Sequence, residues 1–147
     1  MENRQWTLDA QNISLELAHR MIEAAKEKAA EIGIPFSIAI VDNGGHLKAF
    51  AAMDGVGLLT IEIAQNKAYT AAVSRRPTHE WYERIQNEPA LLHGIVHTSR
   101  LVIFGGGYPI RINGHVVGGI GVSGGSVSQD MQVARAAIEF ANNLTKK

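Results

Sequence analysis

Nitrogen and oxygen side chains must carry any chemistry in this 147-residue chain, because it has six histidines and no cysteine. Disulfides, thiolate metal sites and thiol nucleophiles are therefore excluded. His93 and His97 stand four residues apart, a spacing at which two imidazoles on one helical face can share a metal. Gly94 lies between them, no Glu follows His93, and no third ligand stands nearby, so the pair reads as solvated loop residues. His19 falls at the edge of an apolar helical stripe, on the side of Asn12, Glu16 and Lys26, where a histidine is ordinarily half-exposed. His46 and His115 each follow a hairpin turn. His79 sits in the first turn of a short helix, where a cation is mildly unfavourable. Asp42 suits a turn closed by its own side chain. Asp54 is either a turn former or a carboxylate at a pocket mouth, and the two carboxylates could run acid–base chemistry only if they converge. Lys67, inside an alanine-rich helix, is either a functional buried lysine or a structural ion facing Glu62 or Asp54. Ser123 and Ser126 lack the G-x-S-x-G elbow of a serine hydrolase.

Gly119-Ile120-Gly121-Val122-Ser123-Gly124 is a literal G-x-G-x-x-G. A dinucleotide loop needs a helix, then a second parallel strand, and an acid about 20 residues on. Here the preceding strand belongs to a hairpin, no strand follows, and Leu144 occupies the acid's place. A mechanical role fits better. Gly118, Gly119 and Gly121 thin the strand so that a helix or ligand can approach its backbone. Gly124 and Gly125 turn the chain into the last helix, whose first N–H groups are a place for a carboxylate.

These residues need scaffolding. The pattern predicts a helix capped by Thr7 and running to about Ile32, stopped by Gly33 and Pro35. Leu15, Ala18, Ile22, Ala25, Ala29 and Ile32 form its main stripe, and Ile13, Leu17, Met21 and Ala24 form a second beside it. The arc is broader than a monomer surface helix needs, so the second stripe faces either a deep core or another subunit. Strands are predicted over 36–41 and 46–52, joined by Asp42-Asn43-Gly44-Gly45. A helix follows over 58–74, then a short one capped by Thr78 and carrying Trp81, Tyr82 and Ile85. Residues 87–100 read as a loop or one broken turn. Strands are predicted at 101–104, 108–112 and 115–122, the second near an edge because of Pro109, with Asn113-Gly114 turning the last pair. Ser126 and Gln129 form a capping box for a helix reaching about Leu144. The result is one α+β domain, 1–147, with an antiparallel sheet packed on long helices.

The motifs together resemble the GlcG/HbpS-like heme-binding family, which includes the C-terminal domain of PduO-type proteins. The resemblance lies in Ile40-Val41-Asp42-Asn43-Gly44-Gly45-His46-Leu47, Met53-Asp54-Gly55, Ala64 with Lys67-Ala68 and Thr70-Ala71, and Arg76-Pro77-Thr78. It continues through Phe104-Gly105-Gly106-Gly107-Tyr108-Pro109-Ile110 and Gly118 to Gly125, followed by Gln129-Asp130. It implies a profilin-like α-β-α sandwich around a five-stranded antiparallel sheet, dimers that often assemble into octamers, and heme as cofactor. It also implies that His19 is the residue matching the heme-ligating histidine of the first helix, with Lys26 two turns on to meet a propionate. Family members often carry Arg before the Met-Asp, where this chain has Ala52, so that arginine's role has no counterpart here.

Composition bounds the rest. Fourteen basic and fourteen acidic residues give formal net charge zero, and no basic block offers a nucleic-acid surface. No apolar run approaches the roughly 20 residues of a membrane span, and the polar start lacks the apolar core of a secretory signal. The expectation is a cytoplasmic, homo-oligomeric heme-binding protein serving storage, sensing or assistance to a metabolic enzyme. The alternative is an enzyme or enzyme accessory acting on a small carboxylate or corrinoid-linked substrate in an inter-subunit cleft.

Overall fold

The computed structural model describes residues 4–146. Helix α1 spans Leu15–Ile32 and starts at Ser14, whose Oγ accepts from the Leu17 N–H at 3.1 Å, rather than at Thr7. The reason is tertiary. Asn12 Oδ1 accepts from the Asn43 N–H at 2.8 Å, and the Ile13 N–H donates to the Val117 carbonyl at 3.0 Å, so the chain is tied to the sheet before it can coil. Gly33 ends α1 with φ +88° and donates back to the Ala29 carbonyl at 2.8 Å.

Strands β1 (Ser37–Asp42) and β2 (Leu47–Ala52) form the first hairpin. Helix α2 (Leu59–Ser74) follows, then the short helices α3 (Glu80–Ile85) and α4 (Pro89–Gly94) and a 3-10 turn at Ile95–His97. Pro89 therefore opens a helical turn instead of breaking one. Strands β3 (Gly107–Ile112) and β4 (His115–Ser123) form the second hairpin, and α5 (Val127–Thr145) begins with the capping box of Ser126 and Gln129.

The sheet is antiparallel with order β2-β1-β4-β3. It has four strands among the described residues, not five. Residues 101–104 are not a strand, because their backbone bonds elsewhere: the Val102 N–H donates to the Thr70 hydroxyl at 3.0 Å and the Leu101 N–H to the Thr98 carbonyl at 3.2 Å. Pro109 lies on β3, an edge strand, where a missing donor is tolerated.

Alternation along β1 sends its side chains to two cores. Ile38 and Ile40 pack under α1 and α5, while Ala39 and Val41 pack with Ala64, Ala68 and Ala72 of α2. Ile13, Leu17 and Met21 are 2%, 8% and 0% exposed within this one chain, so these three residues of the second stripe are core and not a subunit interface, while Ala24 is half-buried. Its arc is broad because α1 meets both the sheet and α5. On the opposite face, Gly119 and Gly121 of β4 lie directly beneath α2. A Cβ on Gly121 would run into the Ala64 carbonyl oxygen and the Ala68 nitrogen, and one on Gly119 into the Ala68 carbonyl oxygen.

One ion pair crosses these layers. Lys67 of α2 is fully buried, and its Nζ donates to Asp130 Oδ2 of α5 at 2.8 Å and to the Val122 carbonyl at 2.9 Å. The Phe104 ring stands 5.1 Å from the ammonium. The second carboxylate oxygen of Asp130 accepts from the Gly125 N–H at 3.0 Å. Burial lowers the pKa of Lys67, and the hydrogen bond and charge of Asp130 oppose that shift.

Lys67→Met strands a buried carboxylate and is expected to destabilise the fold by about 3–5 kcal/mol in urea unfolding. Lys67→Met with Asp130→Leu is expected to recover much of that loss. Gly121→Ala forces α2 off the sheet and is expected to cost about 1–3 kcal/mol in the same assay.

Candidate functional site

Where α1 runs beside β2, a hollow of about 400 Å³ is lined by Lys26, Ala51, Ala52, Met53 and Asp54. Its walls come from two local patterns. On α1, Leu15, His19, Ile22 and Lys26 recur at helical spacing along the border between core and solvent: Ile22 is buried, Lys26 half-buried, and Leu15 and His19 exposed. β2 is the other edge strand, and Ala51 and Met53 at its end pack partly against the core. Asp54 stands exposed on the turn that follows.

His19 makes no hydrogen bond or ion pair among the described residues, so the imidazole is not needed by the fold. Lys26 Nζ meets Glu23 Oε1 at 3.1 Å on the exposed face. Seven residues of helix separate His19 from Lys26, about 10 Å along the axis. That span is of the order of the distance from a porphyrin's centre to its carboxylate edge. An accessible nitrogen ligand, a cation two turns on and an apolar floor fit heme in donor type and size.

The other sequence candidates are dispersed. Gly124 and Gly125 lie at the start of α5, but the Gly125 N–H already donates to Asp130 and the Ser126 N–H to Gln129 Oε1 at 3.0 Å. An added carboxylate there competes with the chain's own. A side chain on Gly124 would approach the Pro35 carbonyl oxygen to 2.6 Å, so this glycine serves packing. His93 lies in the last turn of α4 and His97 in the 3-10 turn, both exposed, and no group of three His, Asp or Glu that could hold a metal occurs among the described residues. Asp42 builds its turn as expected, accepting from the Gly44 and His46 N–H groups at 2.9 Å each, with His46 Nδ1 at 3.1 Å. Partial burial alone would raise its pKa, but these hydrogen bonds and the nearby imidazole hold it below the usual carboxylate value. Asp42 and Asp54 lie at opposite ends of the first hairpin and do not converge.

Lys67 pairs with neither Glu62 nor Asp54. Asp130, which sequence reasoning missed as its partner, sits in the first turn of α5 with one oxygen turned back to Gly125. The acid directly after the Ser126–Gln129 box was the available signal. Tyr108 is also half-buried, its ring 5.6 Å from that of His79, with burial raising its pKa, Arg135 opposing and Glu80 adding to the rise.

Residues 13–139 match the family model "Haem degrading protein HbpS-like". The chain belongs to the HbpS-like family. Among curated relatives, a 15.0 kDa protein of the dhaT-dhaS intergenic region of Citrobacter freundii is 41% identical over 134 residues, covering 90% of this chain and 94% of that protein. The corrinoid adenosyltransferase PduO of the same organism is 37% identical over 137 residues, 92% of this chain but only 41% of PduO. Among solved structures, the PduOC–heme complex superposes with a TM-score of 0.81 at 36% identity, covering 87% of this chain and 94% of that one. The mixed α+β fold with an antiparallel sheet flanked by helices is thus the family's. Among the described residues, no helix is long and apolar enough to cross a membrane.

Because His19 is exposed and unpartnered, His19→Ala is expected to change the stability of the ligand-free protein by no more than about 0.5 kcal/mol in urea unfolding.

Proposed function

We propose that this HbpS-like protein binds heme, with His19 as an axial ligand to the iron and Lys26 meeting a propionate. The observation that carries the proposal is an imidazole with no structural work, mounted on a rigid helix two turns before the Lys26 of a hollow with an apolar floor. The PduOC relative, solved as a heme complex, supports the same reading. Bound heme supplies an iron whose ligand set and surroundings tune its electronic state. The chain's own part is to hold the macrocycle. The α1 helix fixes the imidazole's direction, Met53 and Ala51 give an apolar floor, and Lys26 sets the carboxylate edge. Gly124 and Gly125, the other candidates for cofactor contact, are held by Asp130 and Pro35 and play a supporting part at most.

The hollow is open, so a macrocycle in it leaves one face to water. Leu15, on the same border of α1 as His19, and Leu47, at the start of β2, are 48% and 53% exposed. A homo-oligomer, dimer to octamer, in which a second copy covers that face would give the heme an enclosed site. The biological role is storage, sensing or assistance to an enzyme system in the cytoplasm. A second reading is an accessory role toward corrinoid chemistry, favoured by the match to one part of PduO. This chain spans under half of PduO, so the adenosyltransferase activity of the whole protein is not carried over.

Hemin titration followed by the Soret band tests the proposal. His19→Ala is expected to shift the band and weaken binding by at least the roughly tenfold that losing even a supporting group costs a metal site. The double substitution of His93 and His97 to alanine is expected to bind as the unsubstituted protein does. An unchanged spectrum in His19→Ala with loss in the double variant would move the ligand to α4. No change in either, with tight binding of a corrinoid instead, would favour the second reading.

A further inference from the structure

At the opposite end of the sheet from the α1–β2 hollow lies a larger one of about 440 Å³, walled by Arg75, Arg111, His115, Asp9, Gln11 and Asn43 among others. Its placement follows from two backbone irregularities. Arg75 ends α2 in a left-handed conformation with φ +60°, which throws its side chain off the helix line. Between Ile110 and Arg111 the β3–β4 register shifts, and such a bulge re-aims the side chains beside it. The Arg111 Nη2 then donates to the carbonyl oxygen of Arg75 itself at 2.8 Å. Two guanidinium-bearing residues are thereby clamped together although 36 positions apart in sequence.

Their charges are not balanced. Among the described residues neither guanidinium has a carboxylate within ion-pair distance, and neither stacks on an aromatic ring. Arg20, Arg76 and Arg100 each lie over one. Among the described residues Asp9 is the only acid lining the hollow, against two arginines and the His115 imidazole. In a chain of net charge zero this is a local cationic surplus in a concave site. Gln11 and Asn43 add amides to the wall, though Asn43 Nδ2 is already spent on the Val116 carbonyl at 2.6 Å. Guanidinium groups take oxyanions through paired N–H···O bonds, which a lysine cannot reproduce.

We infer that this hollow is a second ligand site, one that takes a small oxyanion, a phosphate or carboxylate group, on Arg75 and Arg111. It is independent of the heme reading, since it includes neither His19 nor any residue of the Lys26–Met53 hollow.

Thermal unfolding of the heme-free protein, titrated with inorganic phosphate or with malonate against sodium chloride at matched ionic strength, tests it. A ligand that binds only the folded state raises the melting temperature in step with its occupancy. The expected result is a saturable rise with phosphate or malonate beyond that with chloride. The anion that saturates at lower concentration identifies the source as phosphate or carboxylate. Arg75→Gln is expected to weaken the response by more than about tenfold, as loss of a charge-assisted pair does. Arg75→Lys should restore only part of it, and His19→Ala should leave it intact. The side chain of Arg75 makes no bond within the described residues, so this position decides the matter even if Arg111→Gln loosens the hairpin. Equal responses to all three salts, or a full response in Arg75→Gln, would overturn the site.

Discussion

Helix α2 lies so close to strand β4 that their main chains meet, and much of the rest of the fold answers to that contact. Gly119 and Gly121 offer no Cβ, and Ala64, Ala68 and Ala72 offer only methyls, so backbone rests on backbone. Dispersion is dense at such a contact, but the gap has no room for a long side chain. Lys67 is the exception on that face, and it reaches the sheet's end instead, to the Val122 carbonyl and Asp130. A buried ammonium is tolerated only with its donors satisfied, so the first turn of α5 must stand where Asp130 can serve. The same carboxylate holds the Gly125 N–H. The thin layer on one face therefore sets the position of a helix on the other.

That coupling leaves the two faces unlike. The α2 side is filled by small residues and closed by the 100–102 segment, through Thr70 bonds to the Arg100 carbonyl and the Val102 N–H. The α1–α5 side carries the larger core of Phe36, Ile38, Ile40, Met21 and Ile120. Two helices covering a four-stranded sheet leave its outer strand partly bare. The β2 edge is where α1 meets solvent, and it is there that the exposed His19 lies along a helix otherwise committed to packing.

What could be read in the sequence was what local chemistry decides. The Ser126–Gln129 box, the left-handed Gly33 stop, the Asp42 turn and the edge position of Pro109 all depend on a few adjacent residues, and all are present. The thinning of β4 by glycine was readable because nothing else explains so many glycines in a strand. What failed depended on distant partners. Thr7 is as good a local cap as Ser14, and only the bonds of Asn12 and Ile13 to the sheet decide between them. Residues 101–104 have strand-like composition, yet a helix hydroxyl takes the backbone bond that a neighbouring strand would have made. Ile13, Leu17 and Met21 were visible as apolar, but whether they face a core or a partner depends on where α5 lies. In the candidate site, the boundary position of His19 follows from helical period. The meeting of Lys26 with the end of β2, and the clamping of Arg111 to Arg75, depend on register and on a bulge that no local pattern announces.

The two hollows differ in what their walls can recognise, and the difference follows from which backbone groups each end of the sheet has to spare. At the Met53 end, Met53's own backbone is satisfied: its N–H donates to the Phe36 carbonyl at 3.0 Å and its carbonyl accepts from the Val56 N–H at 3.1 Å. The lining side chains there are carbon and sulfur apart from the flanking Lys26 and Asp54, which suits a large flat apolar body with charge at its rim. At the hairpin end, the Arg75 carbonyl is answered by a guanidinium, and the charge that answers it remains available on its other N–H groups. A guanidinium carries five donors and spends one on that carbonyl. The rest are exposed, and Asp9, the one acid among the described lining residues, cannot pair with two arginines. Such a wall suits an oxyanion.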